Sequence, residues 1–471
     1  MTIKYLGFLF PALLLSIPTG ARAETLTLDQ CVAAALKDNP DIGSAASEIE
    51  VATAQKEAAA GGYSPKLRLE AGAQRWNEEM SAPLFSGFSF YCPTCAWEVD
   101  PDPSLQGKTN PLTGKPYYLI DKATVFRPMY TWSVSATLVQ PLGALWTIRE
   151  ANVLTSLGVD VAKIKQRQAK RDLAYQVTEA YYRILQAKRM AEVAQNSVEQ
   201  IEAQVKKANT FFERGVVAKN DVLRANLGLA AAKQRWIQMK GNVTLARGRL
   251  ATLLGRSPDS DIDVAMVEPP ASLENQVVVA QAEDHAVANR FELKEIDARI
   301  HQAEANVRMA KSKMLPQVNA IANYSRSPGS ILQSKESWFI GATASWDIWE
   351  GGSTYRGIGE AKAKMQQALA ARRKTEDMIR LDARAAHVNL TTAAESLDVA
   401  ASAVAQAEEN FRMEQKRYEN ASNTSFDVLD AEAQLTTARG QHQAAIYDFL
   451  IAKSNLARAM GNQHPALKDA P

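Results

Sequence analysis

Apolar residues recur at alternating spacings of three and four in several long stretches of the chain that lack proline. One stretch runs from Trp146 to Asn209, where the pattern passes through Leu154, Leu157, Val161 and Ile164. Such a stripe is typical of a coiled-coil helix. About 60 residues at 1.5 Å each would make a rod of roughly 90 Å, several times the length of an ordinary globular helix. By the same pattern we predict helices over about 147–209, 221–254, 355–418 and 426–460.

Two short polar segments separate these helices in pairs. They read "ERGVVAKN", from Glu213 to Asn220, and "ENASNTS", from Glu419 to Ser425. Small and polar residues of this kind mark turns. The sequence therefore predicts two long antiparallel helical hairpins.

Four shorter segments alternate with a period of two, which predicts β-strands. The clearest is "SWFIGATASWDIW", from Ser337 to Trp349, and we expect others over about 66–76, 131–140 and 317–325. Each has about the 9 to 11 residues that cross a bilayer as tilted β-structure. In the first segment the apolar face would consist of Trp338, Ile340, Ala342, Ala344, Trp346 and Ile348, and the opposite face of Gly341, Thr343, Ser345 and Asp347.

A half-buried sheet in a soluble protein is the alternative interpretation of these strands. If they lie in a membrane, four strands are too few to close a barrel, because the smallest transmembrane barrels have about eight. The protein would then have to form oligomers. Two copies would supply eight strands and three copies would supply twelve.

The chain contains an internal duplication. When residues 212–255 are aligned with 418–461, at an offset of 206, 11 of 44 columns are identical. A second alignment, at an offset of 251, pairs residues 49–65 with 300–316. Each repeat has the order helix, strand, strand, helix, helix. We therefore divide the mature chain into a first repeat at 24–271 and a second at 272–471.

Residues 1–23 are expected to form a cleavable secretory signal peptide. Lys4 precedes an apolar run from Leu6 to Ile17, and the small residues Ala21 and Ala23 follow that run. The mature chain would then begin near Glu24. An uncleaved transmembrane anchor is the alternative, but the run falls well short of the roughly 20 apolar residues that a bilayer requires.

The charges of the chain nearly balance. It has 54 basic and 52 acidic residues, and removing the signal peptide takes away Lys4 and Arg22, so nothing favours binding to nucleic acid. No segment after residue 23 is hydrophobic enough for a membrane helix. The sequence has no phosphate-binding loop, nucleophile motif or clustered acid–base pair. We therefore expect no catalytic activity, no cofactor and no metal site.

Two cysteines lie close together in "FYCPTCAW", within a long loop between the first two strands. Because export permits disulfides, our interpretation is a short-range disulfide between Cys92 and Cys95. Metal binding is the alternative, but a zinc site needs two further ligands near by, and none is apparent. The third cysteine, Cys31, shares a helix face with Leu28 and Ala35, so we expect a small buried residue.

Several motifs resemble those of the TolC-type outer-membrane efflux proteins. They are "LTLDQCVAAALKDNPDI" after the signal peptide, a "DVL" after each hairpin turn, "WDIWEGG" closing a strand, and helix ends in "LATLLG" and "LARAMG". The resemblance covers essentially the whole mature chain. It implies an α+β membrane protein that forms a homotrimer. A twelve-stranded barrel would lie in the outer membrane, and twelve helices would form a long periplasmic coiled-coil tunnel, constricted at its inner end.

By this resemblance the protein would be the exit duct of a tripartite export system. An inner-membrane pump would supply the energy and a periplasmic adaptor protein would dock on the duct. The duct would pass substrates across the periplasm and the outer membrane. Its barrel would contact outer-membrane lipid. A duct for type I protein secretion is the first alternative. A soluble periplasmic coiled-coil adaptor is the second, and it would have one hairpin flanked by compact β-domains.

The resemblance also assigns a pore constriction. Asp427 and Asp430 would form two rings of carboxylates from three chains, because residues three apart share a helix face. A ring of like charges in a narrow pore selects cations. Arg224 replaces the second acid in the first repeat. The alternative role of Asp427 is capping of the helix N-terminus.

The hairpin turns are expected to form a gate and a docking surface. The resemblance implies a hydrogen bond from the Tyr418 hydroxyl to Asp221. Asn423 stands where the family has a basic latch residue, so the latch here is expected to be weaker or built differently. The adaptor protein would dock by its helical-hairpin tip at Gly215, Val216, Ala421 and Ser422.

Overall fold

Most of the residues described by this computed structural model lie in α-helices. The predicted signal peptide at 1–23, the cysteines Cys92 and Cys95, and Ala421 lie outside the described residues. The described residues are 24–82, 98–99, 105, 108–118, 124–266, 278–327, 335–420 and 422–467.

The chain divides into two units, each assembled from segments that are distant in sequence. The helical hairpin turns belong to the first unit and the largest β-sheet to the second. The first unit comprises Met1–Ala52, Leu157–Ile300 and Gln366–Pro471, and the second comprises Thr53–Ser156 and His301–Met365.

The four helices predicted from the apolar stripes have ends within four residues of the expected positions. α3 has 69 residues and α7 has 67, while α4 and α8 have 35 each. Within the described residues, no helix has the length and apolar character needed to span a membrane. The helices are α1 (Leu28–Asp38), α2 (Pro40–Ala60), α3 (Leu145–Glu213), α4 (Lys219–Leu253), α5 (Val279–Asn289), α6 (Phe291–Ser312), α7 (Ser353–Glu419) and α8 (Ser425–Ala459).

An ion pair at matched positions links the two helices of each hairpin in the first unit. Lys233 on α4 lies 2.8 Å from Glu202 on α3. Arg439 on α8 lies 2.8 Å from Glu408 on α7. Each pair in the second hairpin stands 206 residues after its counterpart, which is the offset of the sequence alignment. The duplication is therefore visible in side-chain contacts as well as in sequence.

The described residues contain ten β-strands. Four of them, β2, β7, β9 and β10, occupy the four segments in which strands were predicted. The strands are β1 (Glu24–Leu26), β2 (Lys66–Arg75), β3 (Met80–Ala82), β4 (Glu98–Val99), β5 (Tyr117–Tyr118), β6 (Thr124–Arg127), β7 (Tyr130–Pro141), β8 (Ile262–Val264), β9 (Gln317–Arg326) and β10 (Glu336–Ser345).

One antiparallel sheet in the second unit joins the four predicted strands in the order β10, β9, β7, β2. In its register Leu69 lies opposite Ala136, and Ile340 lies opposite Ala322. Because directly opposed side chains share a face, the apolar positions of all four strands fall on the same side of the sheet. β2 and β10 are the two edge strands, and both are exposed along their whole length.

Strand β10 ends at Ser345, four residues before the predicted end at Trp349. Ser345 pairs with Gln317, the first residue of β9, which directly follows Pro316. No β9 residue remains to pair with Trp346, whose indole nitrogen donates instead to the Met314 carbonyl at 3.1 Å. The prediction of a strand up to residue 349 was therefore wrong, because alternation continued beyond the partner strand.

A hydrophobic core in the first unit packs α1 against α3, α4 and α8. Val32, Ile184 and Leu250 are fully buried in it, and so is Cys31, as its helix face predicted. Strand β1 pairs in parallel with β8 next to this core. The sequence pattern did not predict that pair, because three residues are too few to show a period.

Each return helix ends at a glycine that touches the break between two earlier helices. Gly255, after α4, has φ of 71°, and a Cβ there would lie 2.4 Å from the Asp38 carbonyl oxygen. Gly461, after α8, has φ of 77°, and a Cβ there would lie 3.1 Å from the Arg290 nitrogen. Only glycine satisfies both the positive φ and the close approach at residue 255.

Candidate functional site at the hairpin turns

The first hairpin turn closes with a backbone motif that ends α3. The Val216 N–H donates to the Phe211 carbonyl at 2.8 Å, and the Gly215 N–H donates to the Phe212 carbonyl at 2.9 Å. Gly215 has φ of 74°, as this Schellman motif requires. The motif leaves Val216 about half exposed at the end of the hairpin.

The second hairpin turn is tied to its own helix by Asn423. The Asn423 side-chain nitrogen donates to the Glu414 backbone carbonyl at 3.0 Å and to its carboxylate at 2.6 Å. The Ser422 N–H donates to the Arg417 carbonyl at 2.9 Å, and Ser422 is exposed. These side-chain hydrogen bonds of Asn423 therefore lie within the second hairpin.

Helix α8 begins with a capping interaction made by Asp427. The Asp427 carboxylate accepts hydrogen bonds from the Thr424 backbone nitrogen at 2.9 Å and from the Thr424 hydroxyl at 2.8 Å. These bonds from Thr424 lower the pKa of Asp427 below its ordinary value. The capping role considered for Asp427 is thus present in the structure.

Asp430 follows one turn later on α8 and is exposed. Its carboxylate accepts a hydrogen bond from the Gln434 side chain at 2.8 Å. Arg224, its counterpart in the first repeat, is also exposed. Asp430 therefore differs from Asp427 in having its carboxylate directed away from the helix N-terminus.

Asp221 near the start of α4 contacts Ser425 at the start of α8. The Ser425 hydroxyl lies 3.1 Å from the Asp221 carboxylate and 3.2 Å from the Asp221 carbonyl oxygen. Ser425 is completely buried, whereas Asp221 is half-buried. The two "DVL" segments of the repeats therefore meet side by side, through a residue that the sequence did not single out.

The predicted hydrogen bond between Tyr418 and Asp221 is not formed. Among the described residues the buried Tyr418 hydroxyl has no hydrogen-bond partner. Its ring stacks on Phe211 of the first hairpin, with centroids 5.5 Å apart. Burial raises the pKa of Tyr418, and the negative charge of Asp221 raises it further. Tyr418 thus joins the hairpins by ring packing and not by a hydrogen bond to Asp221.

Glu432 on α8 is a buried acid that sequence reasoning missed. Its carboxylate accepts hydrogen bonds from Ser197 on α3 at 2.6 Å and from Thr436 at 2.7 Å. The signal was available, because Glu432 falls at helical spacing between Val428 and Leu435, which are both buried apolar residues. An acid within an apolar stripe indicates a buried polar contact.

The described residues contain no group of three or more histidine, cysteine, aspartate or glutamate side chains placed to hold a metal ion. The arrangement at the turns consists of hydrogen bonds, ion pairs and ring packing between helices. Such contacts hold helix ends together and can be broken and remade.

Two long helical hairpins together with a four-stranded antiparallel sheet define the fold of outer-membrane efflux channels. The outer membrane channel CmeC of Campylobacter jejuni superimposes with a TM-score of 0.72 at 15% sequence identity. That comparison covers 100% of this chain and 96% of the other. The family model described as "Outer membrane efflux protein" matches residues 31–256 and 283–462. The chain belongs to this family.

The sequence alignments with curated relatives cover less of the chain than the structural superposition does. Nodulation protein T of Rhizobium leguminosarum bv. trifolii is 23% identical over 270 residues, which are 53% of this chain and 55% of that protein. The toluene efflux pump outer membrane protein TtgC of Pseudomonas putida is 22% identical over 349 residues, 70% of this chain and 68% of that protein. The chain therefore spans just over half the length of the first relative and about two thirds of the second.

Proposed function

We propose that the protein is the exit duct of a tripartite export system. Three copies form a twelve-stranded barrel in the outer membrane, and their helices form a periplasmic conduit that is gated at the hairpin turns. The protein performs no catalysis, and an inner-membrane pump supplies the energy for transport. The family and the resemblance of the sequence motifs support this proposal.

The observation that carries the proposal is the four-stranded sheet with one apolar face and two open edges. Trp338 and Ile340 on β10 are 72% and 78% exposed, and Leu67 and Leu69 on β2 are 66% and 72% exposed. An open edge strand presents unpaired backbone groups that require a partner. In a bilayer those groups have no water to bind, so edge pairing with other copies into a closed barrel satisfies them.

The proposed constriction gives a direct test of duct function. Purified protein is inserted into planar bilayers, and ion selectivity is measured from the reversal potential in a salt gradient. Wild-type protein should form cation-selective channels, and Asp430→Asn should reduce that selectivity because it removes one carboxylate from each chain. The matched control is Asp398→Asn on α7, where the acid is also exposed. Absence of channels, or equal selectivity in both variants, would contradict the proposed role.

Partner proteins are proposed to dock at the hairpin turns, at Gly215, Val216, Ala421 and Ser422. Photo-crosslinking in cells from a reactive residue in place of the exposed Val216 would identify what docks there. The name of the Pseudomonas putida relative specifies toluene efflux, and an adaptor of a small-molecule pump is the expected capture. An adaptor of an ATP-driven protein exporter would change the substrate class to polypeptide. Capture of no adaptor would show that the docking surface is wrong.

A further inference from the structure

The two return helices start with the same acid at the same position but use it differently. Alignment at the offset of 206 places Ala218 opposite Thr424 and Asp221 opposite Asp427. Thr424 is the N-cap residue of α8 and Ala218 is the N-cap residue of α4. Each acid is therefore the third residue after its cap, the position from which a carboxylate reaches back to the cap.

The residue at the N-cap decides whether the acid is hydrogen-bonded to the cap of its own helix. In α8 the Thr424 backbone nitrogen and hydroxyl both donate to Asp427. In α4 the Ala218 side chain has no hydroxyl, so it cannot make the bond to Asp221 that Thr424 makes to Asp427. The Asp221 carboxylate is thus available to the other hairpin, where the Ser425 hydroxyl lies 3.1 Å away.

Three other contacts join the hairpins near the turns, and none of them is a buried hydrogen bond. The ion pair of Lys207 with Glu419 is exposed on both sides, so solvent screens it. The stacking of Phe211 on Tyr418 is apolar and tolerates sliding. A Cβ on Gly228 would lie 3.0 Å from the end of Leu429, which shows close packing without direction.

Ser425 makes the buried, directional contact between the hairpins at their turns. The buried hydrogen bond of Ser197 to Glu432 also joins the hairpins, but it lies about two helical turns further along α8. The Ser425 hydroxyl is fully buried, and its two acceptors are the Asp221 carboxylate at 3.1 Å and the Asp221 carbonyl oxygen at 3.2 Å. A carboxylate accepts a stronger hydrogen bond than a neutral oxygen does. Loss of such a bond leaves a polar group without a partner in a site with little access to water. Separation of α4 from α8 at the turns requires this bond to break, whereas the exposed ion pair of Lys207 with Glu419 can be replaced by contacts with water.

We propose that the Ser425–Asp221 hydrogen bond is the intrachain latch of the gate, and that Ala218 is the substitution that makes Asp221 available for it. This inference rests on the proposed function as a gated duct. In this chain the latch is a serine at the start of α8, and neither the Tyr418 hydroxyl nor Asn423 provides it. Opening of the inner mouth then begins with the separation of α4 from α8.

Single-channel recording of the purified full-length protein in planar bilayers tests the latch. Ser425→Ala should raise the open probability roughly tenfold, as expected for one hydrogen bond to a charged group. Asp221→Ala removes the carboxylate but leaves the Asp221 carbonyl oxygen 3.2 Å from the hydroxyl, so its increase should be no larger than that of Ser425→Ala. The double variant should show no increase beyond that of Ser425→Ala, because that change already removes the donor. Ser402→Ala on α7 is the matched control, since its hydroxyl bonds only to its own helix.

A second variant acts on the latch without touching either partner. Ala218→Thr should supply α4 with the cap that α8 has, and thereby draw the Asp221 carboxylate away from Ser425. Its open probability should rise, although the α4 terminus itself becomes more stable. Circular dichroism and thermal melting check that every variant is folded before its conductance is interpreted.

Different results would contradict the duct function and the latch. If wild-type protein forms no channels, the proposed function fails and the gating role fails with it. If wild-type protein conducts but Ser425→Ala matches Ser402→Ala, the latch is wrong while the duct remains. Additive effects of Ser425→Ala and Asp221→Ala would likewise overturn the latch, as would an increase seen only with Tyr418→Phe.

Discussion

Helices α4 and α8 are matched elements of the duplication, with 35 residues each, yet their environments differ. Thirteen residues of α8 are buried in its own chain, against four of α4. By contrast, α4 exposes large apolar residues along one face of the helix. The members of this apolar stripe are Leu223, Leu227, Ile237 and Leu245, with exposures of 58%, 72%, 59% and 74%.

The difference indicates that α8 is an internal helix of the chain and α4 is a boundary helix. An exposed stripe of this length on a soluble surface is unfavourable, because apolar area remains in contact with water. Duplication produced two similar helices, but only one is covered within the chain. A second copy that covers α4 would complete a closed ring of helices, which is the assembly proposed above.

The largest effect is expected from a charge in the middle of the α4 stripe. Leu227→Glu should abolish trimer formation, because assembly would bury an unpaired carboxylate at a cost of several kcal/mol. Light scattering of detergent-extracted protein measures the number of chains in the complex. Asn242→Glu is the control, since it adds the same charge to an exposed position outside the stripe. Trimers with Leu227→Glu would show that another surface mediates assembly.

An intermediate effect on stability is expected at the buried residue Glu432 of α8, and a smaller one at the aligned residue Asn226 of α4. Ser197→Ala removes the 2.6 Å hydrogen bond to buried Glu432 and should lower the free energy of unfolding by about 2 kcal/mol. Asn226 is the residue of α4 that aligns with Glu432, and it bonds only to its own helix at Val222. Asn226→Ala should change the same free energy by less than about 0.5 kcal/mol. Equal losses in urea denaturation would contradict the distinction between the two helices.

Features that depend on local sequence patterns were predictable, whereas contacts between residues distant in sequence were not. Helices α3 and α7 were predictable because their stripes extend over many turns, and β9 was predictable from its alternation. The Ser425–Asp221 contact was not, since it depends on how two turns 204 residues apart lie against each other. The Tyr418 hydroxyl was assigned to Asp221 by resemblance, and that assignment was wrong, because the ring stacks on Phe211 and the buried hydroxyl has no partner among the described residues.

The cap of α8 should contribute a smaller effect that depends on pH. Thr424→Ala removes the hydroxyl bonded to Asp427 and should cost about 1 kcal/mol in unfolding. Because the folded-state pKa of Asp427 is lowered from 3.8, its contribution is present above that pH and is lost as pH falls through the folded value. Thermal melting between about pH 2 and 5 should show a weaker acid dependence in Thr424→Ala. An unchanged dependence would exclude Asp427 as the acid-sensitive group.

The smallest effect is expected at Tyr418, and it has the opposite sign. Tyr418→Phe removes a buried hydroxyl that has no partner among the described residues, so it should raise the free energy of unfolding by up to about 1 kcal/mol. The stack on Phe211 remains intact. Urea denaturation measures the change. A loss of stability would show that the hydroxyl does make a stabilising bond in the assembled protein.

The central claim is that the open edges of the sheet are closed by further copies of the chain. The most direct measurement is photo-crosslinking in the outer membrane, with p-benzoylphenylalanine in place of Phe339 on the edge strand β10. The account predicts a ladder that stops at three chains, with the crosslink mapped to β2 (Lys66–Arg75) of another copy. A crosslink only within one chain, a ladder that stops at two, or capture of a different protein at this edge would contradict the trimeric barrel.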